Sequence, residues 1–421
     1  MKTFSIFTLG CKVNAYESEY YRQSLIKAGY NEALPKEQTD IVIINTCTVT
    51  NTASFKSRQR IHQAKRFNPN AFVVVVGCYA QTAHVELKEK YDIDLIIGAQ
   101  HKDRLVELIE ANIKNHDYTY PTSFEPLEIE PFEHQQRAYI KIQDGCNQFC
   151  SYCIIPYARG RERSLPFEDV LKQVKALNNH HEIVLTGIHT GRYGHEFNRS
   201  LSGLITEILK QTECKRLRLS SIEITELDDD LLYLLKTSNR MAKHLHIPLQ
   251  SGSNSILKTM NRPYTLDEFK ERLANIRSII PDIHISTDVI VGFPGETDAL
   301  FDESLVEIEA MNFGFIHVFP FSARENTKAQ TMSHPVDGKT KKERVHRLQT
   351  LSDRAKEKHL HSLMGQTIEV LVEEQLSDGL FGYTLNYEPV KLEGDVSLIN
   401  TLVRCTVYSS TSDYLLAKVD L

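Results

Sequence analysis

Apolar residues along this chain alternate between two rhythms. Thr3–Thr8, Asp40–Ile44, Phe72–Val76 and Asp94–Ile97 are short apolar runs, the length and composition of buried strands. Between them Asn14–Ala28, closed by Gly29, and Thr52–Phe67 carry small and apolar residues at helical spacing. In the second, Ala53, Ser57, Ile61 and Ala64 fall on one stripe. Strand and helix alternating in this way predict a parallel sheet covered by helices.

From Asn115 to Gln136 the rhythm stops. Pro121, Pro126 and Pro131 stand among acidic and polar residues, which predicts an interdomain linker over 115–136. A second βα series follows. Its strands are expected at Ala138–Gln143, Glu182–Leu185, Arg216–Ser220, His244–Leu249, His284–Val291 and Gly314–Phe319, with helices such as Phe167–Leu177 and Leu266–Ile279 between them. Six such units predict a partial (β/α)6 barrel whose reactive residues gather at the C-terminal strand ends. Thr340–Leu363 reads as one amphipathic helix with Val345, Leu348, Ala355 and Leu363 on its apolar face. Beyond Thr367 the chain is strand-rich and too short for a sandwich, so a small antiparallel β-barrel is expected. The fold class is α/β. The expected division is 1–114, linker 115–136, core 137–365 and C-terminal barrel 366–421.

With 421 residues the chain is longer than one hydrophobic core usually organises. No run of 18 apolar residues occurs, and the polar N-terminus lacks a signal-peptide core, so a cytoplasmic protein without a membrane partner is expected. In that compartment thiols stay reduced, and the eight cysteines need another explanation than disulfides. Net charge is −6, which argues against indiscriminate nucleic-acid binding but leaves room for a local basic surface.

The strongest chemical signal is Cys146-x3-Cys150-x2-Cys153, placed just after the first core strand. Three thiolates within eight residues suit an iron–sulfur cluster. A structural zinc wants four protein ligands; spacing and placement both disfavour that alternative. Three ligands on a four-iron cluster leave one iron open. The second constellation depends on the fold. Cys11, Cys47 and Cys78 each follow a strand of the first series, and such loops open on one edge of a parallel sheet. The competing reading is three separately packed small residues. Cys214 and Cys405 share no such placement and read as packing or surface residues.

These residues resemble the radical S-adenosylmethionine (SAM) methylthiotransferase family over nearly the whole chain. The resemblance rests on Leu9-Gly-Cys-Lys-Val-Asn-Ala-Tyr-Glu-Ser-Glu, Asn45-Thr-Cys-Thr-Val-Thr, Gly77-Cys-Tyr-Ala-Gln, the Cys146/Cys150/Cys153 triad, His246-Ile-Pro-Leu-Gln-Ser-Gly-Ser and Asp288-Val-Ile-Val-Gly-Phe-Pro-Gly-Glu-Thr. Lys12-Val-Asn-Ala-Tyr-Glu and Lys56-Ser-Arg-Gln resemble the branch acting on threonylcarbamoyladenosine in tRNA. Sister branches act on isopentenyladenosine or on a ribosomal-protein side chain. The resemblance implies two 4Fe-4S clusters and SAM as cofactors. Cys146, Cys150 and Cys153 would hold the cluster that cleaves SAM; Cys11, Cys47 and Cys78 would hold an auxiliary cluster for sulfur delivery. It implies a tRNA anticodon stem-loop as partner, an external electron donor and a sulfur source. A non-catalytic electron carrier is the competitor from another class, and such carriers usually complete their cluster ligation.

For SAM itself the candidates are Thr186 and Gly187 after the second core strand, Ser221 and Glu223 after the third, and Gln250 after the fourth. Glu223 reads equally well as a helix N-terminal acid. His246 is read as a core histidine. Arg159, Arg161 and Arg163 are expected at the mouth of the site, facing phosphate or a carboxylate-bearing substrate. Lys56, Arg58, Arg60, Lys65 and Arg66 share no helix face, and Arg347, Arg354 and Lys358 lie opposite an apolar stripe; both sets read as solvated. The C-terminal segment resembles a TRAM module through Gly382-Tyr-Thr-Leu-Asn-Tyr. From Thr367 onward it has three Lys/Arg against nine Asp/Glu, so shape, stacking by Tyr383 and Tyr387, or a lid role is expected rather than strong autonomous RNA binding.

Overall fold

The computed structural model describes residues 2–34, 37–113, 120–131 and 137–420. Four apolar runs become the parallel strands β1 (Thr3–Thr8), β2 (Ile41–Thr46), β3 (Phe72–Gly77) and β4 (Leu95–Ile97), extended at one edge by the short strand Asn31–Glu32. Every residue of β2 is buried, because helices cover both faces; this is why the run shows no alternation. Helix α1 (Lys12–Lys27) lies on one face and α2 (Asn51–Phe67) on the other. Thr50 caps α2 by accepting from the Ala53 amide, and Ser57, Ile61 and Ala64 line its buried stripe.

The core strands are β5 (Arg137–Lys141), β6 (Glu182–Thr186), β7 (Leu217–Leu219), β8 (His244–His246), β9 (His284–Val291) and β10 (Phe315–Pro320). They form two parallel three-stranded ladders, β5-β6-β7 and β8-β9-β10. Isolated bridges Leu217↔Met241 and Ser221↔His246 join β7 to β8, so the six-stranded partial barrel is continuous but loosely laced at its middle. Helix α3 (Ile155–Arg159) follows the cysteine triad, α4 (Phe167–Ala176) covers β5, and α5 (Leu266–Ile279) begins in a capping box of Thr265 and Glu268.

Helix α6 (Gly338–Ser362) buries Leu348 of the expected stripe and packs Val345 and Leu363 partly against the neighbouring clusters, and it also buries Arg344, Ser352 and Leu360. Polar side chains occupy buried rungs because each has a partner. Arg344 meets Glu296 at 2.7 Å, and Ser352 bonds the Ile316 backbone.

Strands β11 (Thr367–Leu376), β12 (Gly379–Thr384), β13 (Pro389–Glu393), β14 (Leu402–Ser410) and β15 (Leu415–Val419) close a barrel in the order β11-β12-β13-β15-β14. Four pairings are antiparallel, but β13 and β15 run parallel. The small antiparallel barrel expected here is present, and its one parallel pair follows from parity: five strands cannot alternate direction around a closed ring.

The expected linker falls partly outside the described residues. Its described part is packed. Leu127 and Ile129 are buried against Tyr16 of α1 and Tyr139 of β5, and the Tyr16 hydroxyl donates to the Leu127 carbonyl. Among the described residues no helix is long and apolar enough to cross a membrane.

Candidate functional site

Register carries the first cysteine set together. Thr8 pairs with Asn45, and Thr46 with Gly77, so β1, β2 and β3 end on one edge. Cys11 and Cys47 follow just beyond it, and Cys78 opens the helix that leaves β3. Gly10 is left-handed (φ +104°), and a Cβ there would lie 2.7 Å from the Cys47 Cβ and 2.9 Å from its Sγ. Asn14 ties the edge by donating to the carbonyls of Leu9 and Thr46. Cys47 and Cys78 are buried, whereas Cys11 is exposed. Burial pushes the Cys47 thiol up to about 12, and neighbouring Cys78 and Cys11 add to the rise. Burial likewise raises Cys78, against the pull of Arg159.

Arg159 lies in the core, at the end of α3, yet its Nε donates to Cys78 Sγ at 3.2 Å. Its other nitrogens reach Asn14 Oδ1 (2.8 Å), Glu17 Oε1 (3.0 Å) and Asp144 Oδ1 (3.2 Å). Lys102 and Lys141 also meet Glu17, and Lys141 and Arg163 meet Asp144. This network is fully buried between the N-terminal sheet and the core. Burial would raise both carboxyls, but the surrounding cations hold Glu17 and Asp144 below the usual carboxylate range.

The second set sits in the turn after β5. Cys150 Sγ accepts from Arg262 Nη1 at 3.4 Å, and Arg262 also grips Glu223. Cys146 Sγ accepts from the Gln148 amide and lies 3.5 Å from His189 Nδ1, while His189 Nε2 stands 2.8 Å from Glu226. Burial pushes the Cys153 thiol up to about 12, with Cys150 adding to it. Gln143 accepts from the His189 amide and donates to the Asp144 and Gly145 carbonyls, lacing the triad turn to the loop of Thr186 and Gly187. Gln250 is left-handed (φ +71°) yet keeps two backbone bonds to β9, a strained conformation of the kind that collects at working sites.

Two family models match the chain: "Uncharacterized protein family UPF0004" over residues 3–98 and "Radical SAM superfamily" over residues 140–308. The chain is 39% identical to threonylcarbamoyladenosine tRNA methylthiotransferase MtaB of Bacillus subtilis (strain 168), covering 98% of this chain and 95% of the relative. It is 37% identical to the protein of that name from Aquifex aeolicus (strain VF5), over 92% and 96%. The chain belongs to the radical SAM methylthiotransferase family. A tRNA-2-methylthio-N(6)-dimethylallyladenosine synthase of Thermoanaerobacter sp. (strain X514) is 34% identical over 96% of this chain and 90% of its own. Among solved structures, radical S-adenosylmethionine methyltransferase TsrM from Kitasatospora setae, with cobalamin and 4Fe-4S cluster bound, shares the fold. Its TM-score is 0.57 at 14% identity, over 78% of this chain and 76% of that one.

Methylthiotransferases carry two 4Fe-4S clusters and use SAM. The donor sets of this methylthiotransferase fit such groups. One offers three thiols in a single turn and the other three thiols at one sheet edge, and each has a buried guanidinium donating to a sulfur, which favours thiolates and an anionic cluster. Cys214 and Cys405 are buried in hydrophobic clusters away from both sets.

Several expectations for the methylthiotransferase need correction. Arg159 and Arg163 do not face the mouth; both are buried in the ion network, whereas Arg161 stays exposed over the Phe149 ring. Tyr383 and Tyr387 are not open platforms. They stack on each other at 4.8 Å, with Arg137 over both rings and Arg218 over Tyr387, and so help dock the barrel on the core. Glu223 caps no helix through its side chain and instead holds Arg262. His246 is not a core residue. It is half-buried at the wall of a cavity of about 480 Å³ lined also by Lys12, Asp288, His317, Phe319 and Tyr387. Arg262 and His189 were missed in the sequence. His189 stands two residues beyond the Thr186–Gly187 pair, whereas Arg262 gives no local signal.

Proposed function

We propose that this methylthiotransferase adds a methylthio group to C2 of N6-threonylcarbamoyladenosine, the base just 3′ of the tRNA anticodon. In this reading Cys146, Cys150 and Cys153 hold the cluster that cleaves SAM, and Cys11, Cys47 and Cys78 hold the auxiliary cluster. Thr186, Gly187, Ser221, Glu223 and Gln250 surround SAM, and Arg262 orients Glu223 and Cys150 together. When bound, these groups supply the radical chemistry that removes an unactivated C2 hydrogen, together with the sulfur and methyl that replace it. The protein's own residues position the two thiol sets, neutralise them with Arg159 and Arg262, and exclude water around them. An external electron donor and a sulfur source complete the system, which works in the cytoplasm.

The observation that carries the reading is the Arg159 contact. A side chain that begins six residues after Cys153 donates to Cys78 of the other set, which supports a reading in which both cysteine sets serve one site. The test is direct. The reconstituted enzyme, with SAM, sulfide and reductant, is offered matched anticodon hairpins bearing threonylcarbamoyl, isopentenyl or unmodified adenosine. Faster methylthiolation of the threonylcarbamoyl hairpin is expected. Equal or faster reaction of the isopentenyl hairpin overturns the substrate while leaving the chemistry class standing.

A further inference from the structure

The cavity at His246 is bounded by three distant parts of the chain: Lys12 at the start of α1, the β8–β10 face with His246, Asp288, His317 and Phe319, and the barrel with Tyr387 and Pro389. Its charges are unevenly matched. Asp288 lies 3.1 Å from His246 Nε2, and Glu388 is 3.0 Å from His359 Nε2. Lys356 pairs with Asp413. Lys12 is different. It lines the cavity and forms no hydrogen bond or ion pair with any described residue; the charges that act on it from further off are Arg218, Arg137 and the acid Glu182, which those same arginines already hold. His317 is exposed beside it on the same wall.

We propose that Lys12, with His317, receives the carboxylate of the threonylcarbamoyl group and is the residue that selects this substrate. The inference rests on the substrate reading above. It supplies a cation in place of Arg159 and Arg163, which are spent in the buried network. The chemistry of the base agrees. A ureido chain on N6 can close a six-membered ring by donating its own N–H to N1. That lays the carboxylate-bearing end on the N1 side of the base, next to C2. Lys12 directly follows Cys11, so a cation for that end stands beside the thiol set proposed to deliver sulfur to C2. An isopentenyl group offers this lysine nothing. Its binding would leave the ammonium without an acidic partner, which is the means by which a polar pocket rejects an apolar analogue.

The test uses the cluster-loaded enzyme and its Lys12→Met, Lys12→Arg and His317→Leu variants, each checked for iron content equal to that of the starting enzyme. Binding of the threonylcarbamoyl and isopentenyl hairpins is measured by fluorescence anisotropy, and methylthiolation of each is followed separately. Lys12→Met is expected to weaken the threonylcarbamoyl hairpin by about tenfold or more, as for loss of a charge-assisted hydrogen bond. It should leave the isopentenyl hairpin unchanged or improved, and Lys12→Arg should restore most of the loss. His317→Leu should lower the same discrimination without touching the sequence beside Cys11, so it decides the matter if Lys12→Met fails to load iron. Equal weakening of both hairpins, or no weakening of either, overturns the proposal. A starting enzyme that prefers the isopentenyl hairpin instead overturns the substrate reading, and the two failures are told apart by that control.

Discussion

At the scale of single residues, the side chains that matter most are those whose partners lie far away in sequence. Arg159 is the clearest. Replacing it by Met removes one cation from a fully buried network and leaves Glu17 and Asp144 short of compensation. Breaking a buried pair in this way costs about 3–5 kcal/mol. Arg159→Met is therefore expected to lower the thermal midpoint and to lose auxiliary iron, measured by calorimetry and iron assay; an unchanged midpoint would contradict the network. Gly10 makes a second case. Gly10→Ala meets both a left-handed backbone and the Cys47 side chain, a strain of about 1–3 kcal/mol. The expected result is reduced iron loading with SAM cleavage retained, since the Cys146 set is untouched. Neither position was legible beforehand. An arginine near a cysteine motif looks the same in sequence whether it faces phosphate or is buried, and only the packing of α1 against β5 decides it.

At the scale of elements, reading the chain worked where burial is uniform. Strands β2 and β3 are buried along almost their whole length, so their apolar runs mark them to within two residues. It worked less well on α6, whose buried rungs include Arg344 and Ser352, because satisfied polar groups carry no hydrophobic signal. The parallel pair in the barrel was invisible for another reason: it follows from ring closure and not from any residue. The seam between β5–β7 and the barrel is also electrostatic. Glu182 is buried among Arg137, Arg216 and Arg218, while Arg137 and Arg216 reach Glu373 and Glu369 of β11. Burial alone would raise the Glu182 carboxyl, but the three guanidiniums outweigh it and hold the group at about 2. A depressed carboxyl stabilises the fold fully above its ordinary value of 4.5 and loses that contribution as pH falls through about 2. Thermal midpoints measured from pH 6 downward should thus fall in acid for the native chain, and Glu182→Gln should be less stable near neutrality with a flatter acid limb. Parallel pH profiles for the two would exclude the seam as their cause.

At the scale of the whole molecule, the cysteine sets do not sit in independent units. Tyr16, Leu127, Ile129 and Tyr139 form one small cluster, and the Arg159 network crosses the same junction. A fragment ending at residue 113 would expose Glu17, Lys102 and Tyr16, which are buried here. It is expected to be poorly soluble or unfolded by circular dichroism, whereas a folded, soluble fragment would show that the junction is dispensable. Across that junction Cys150→Ala should abolish deoxyadenosine formation and remove about half the iron, as expected for two clusters of equal size. The barrel joins this arrangement through Tyr387, which forms part of the cavity wall. The wall is thus assembled from the first turn of α1, the core strands and the barrel, three stretches set far apart along one gene. Substrate preference in such an enzyme does not travel as a cassette. Exchanging the barrel alone between relatives, or the N-terminal region alone, would give a chimera with mismatched halves of a pocket, and only a graft carrying Lys12, the β8–β10 face and Tyr387 together would transplant the preference.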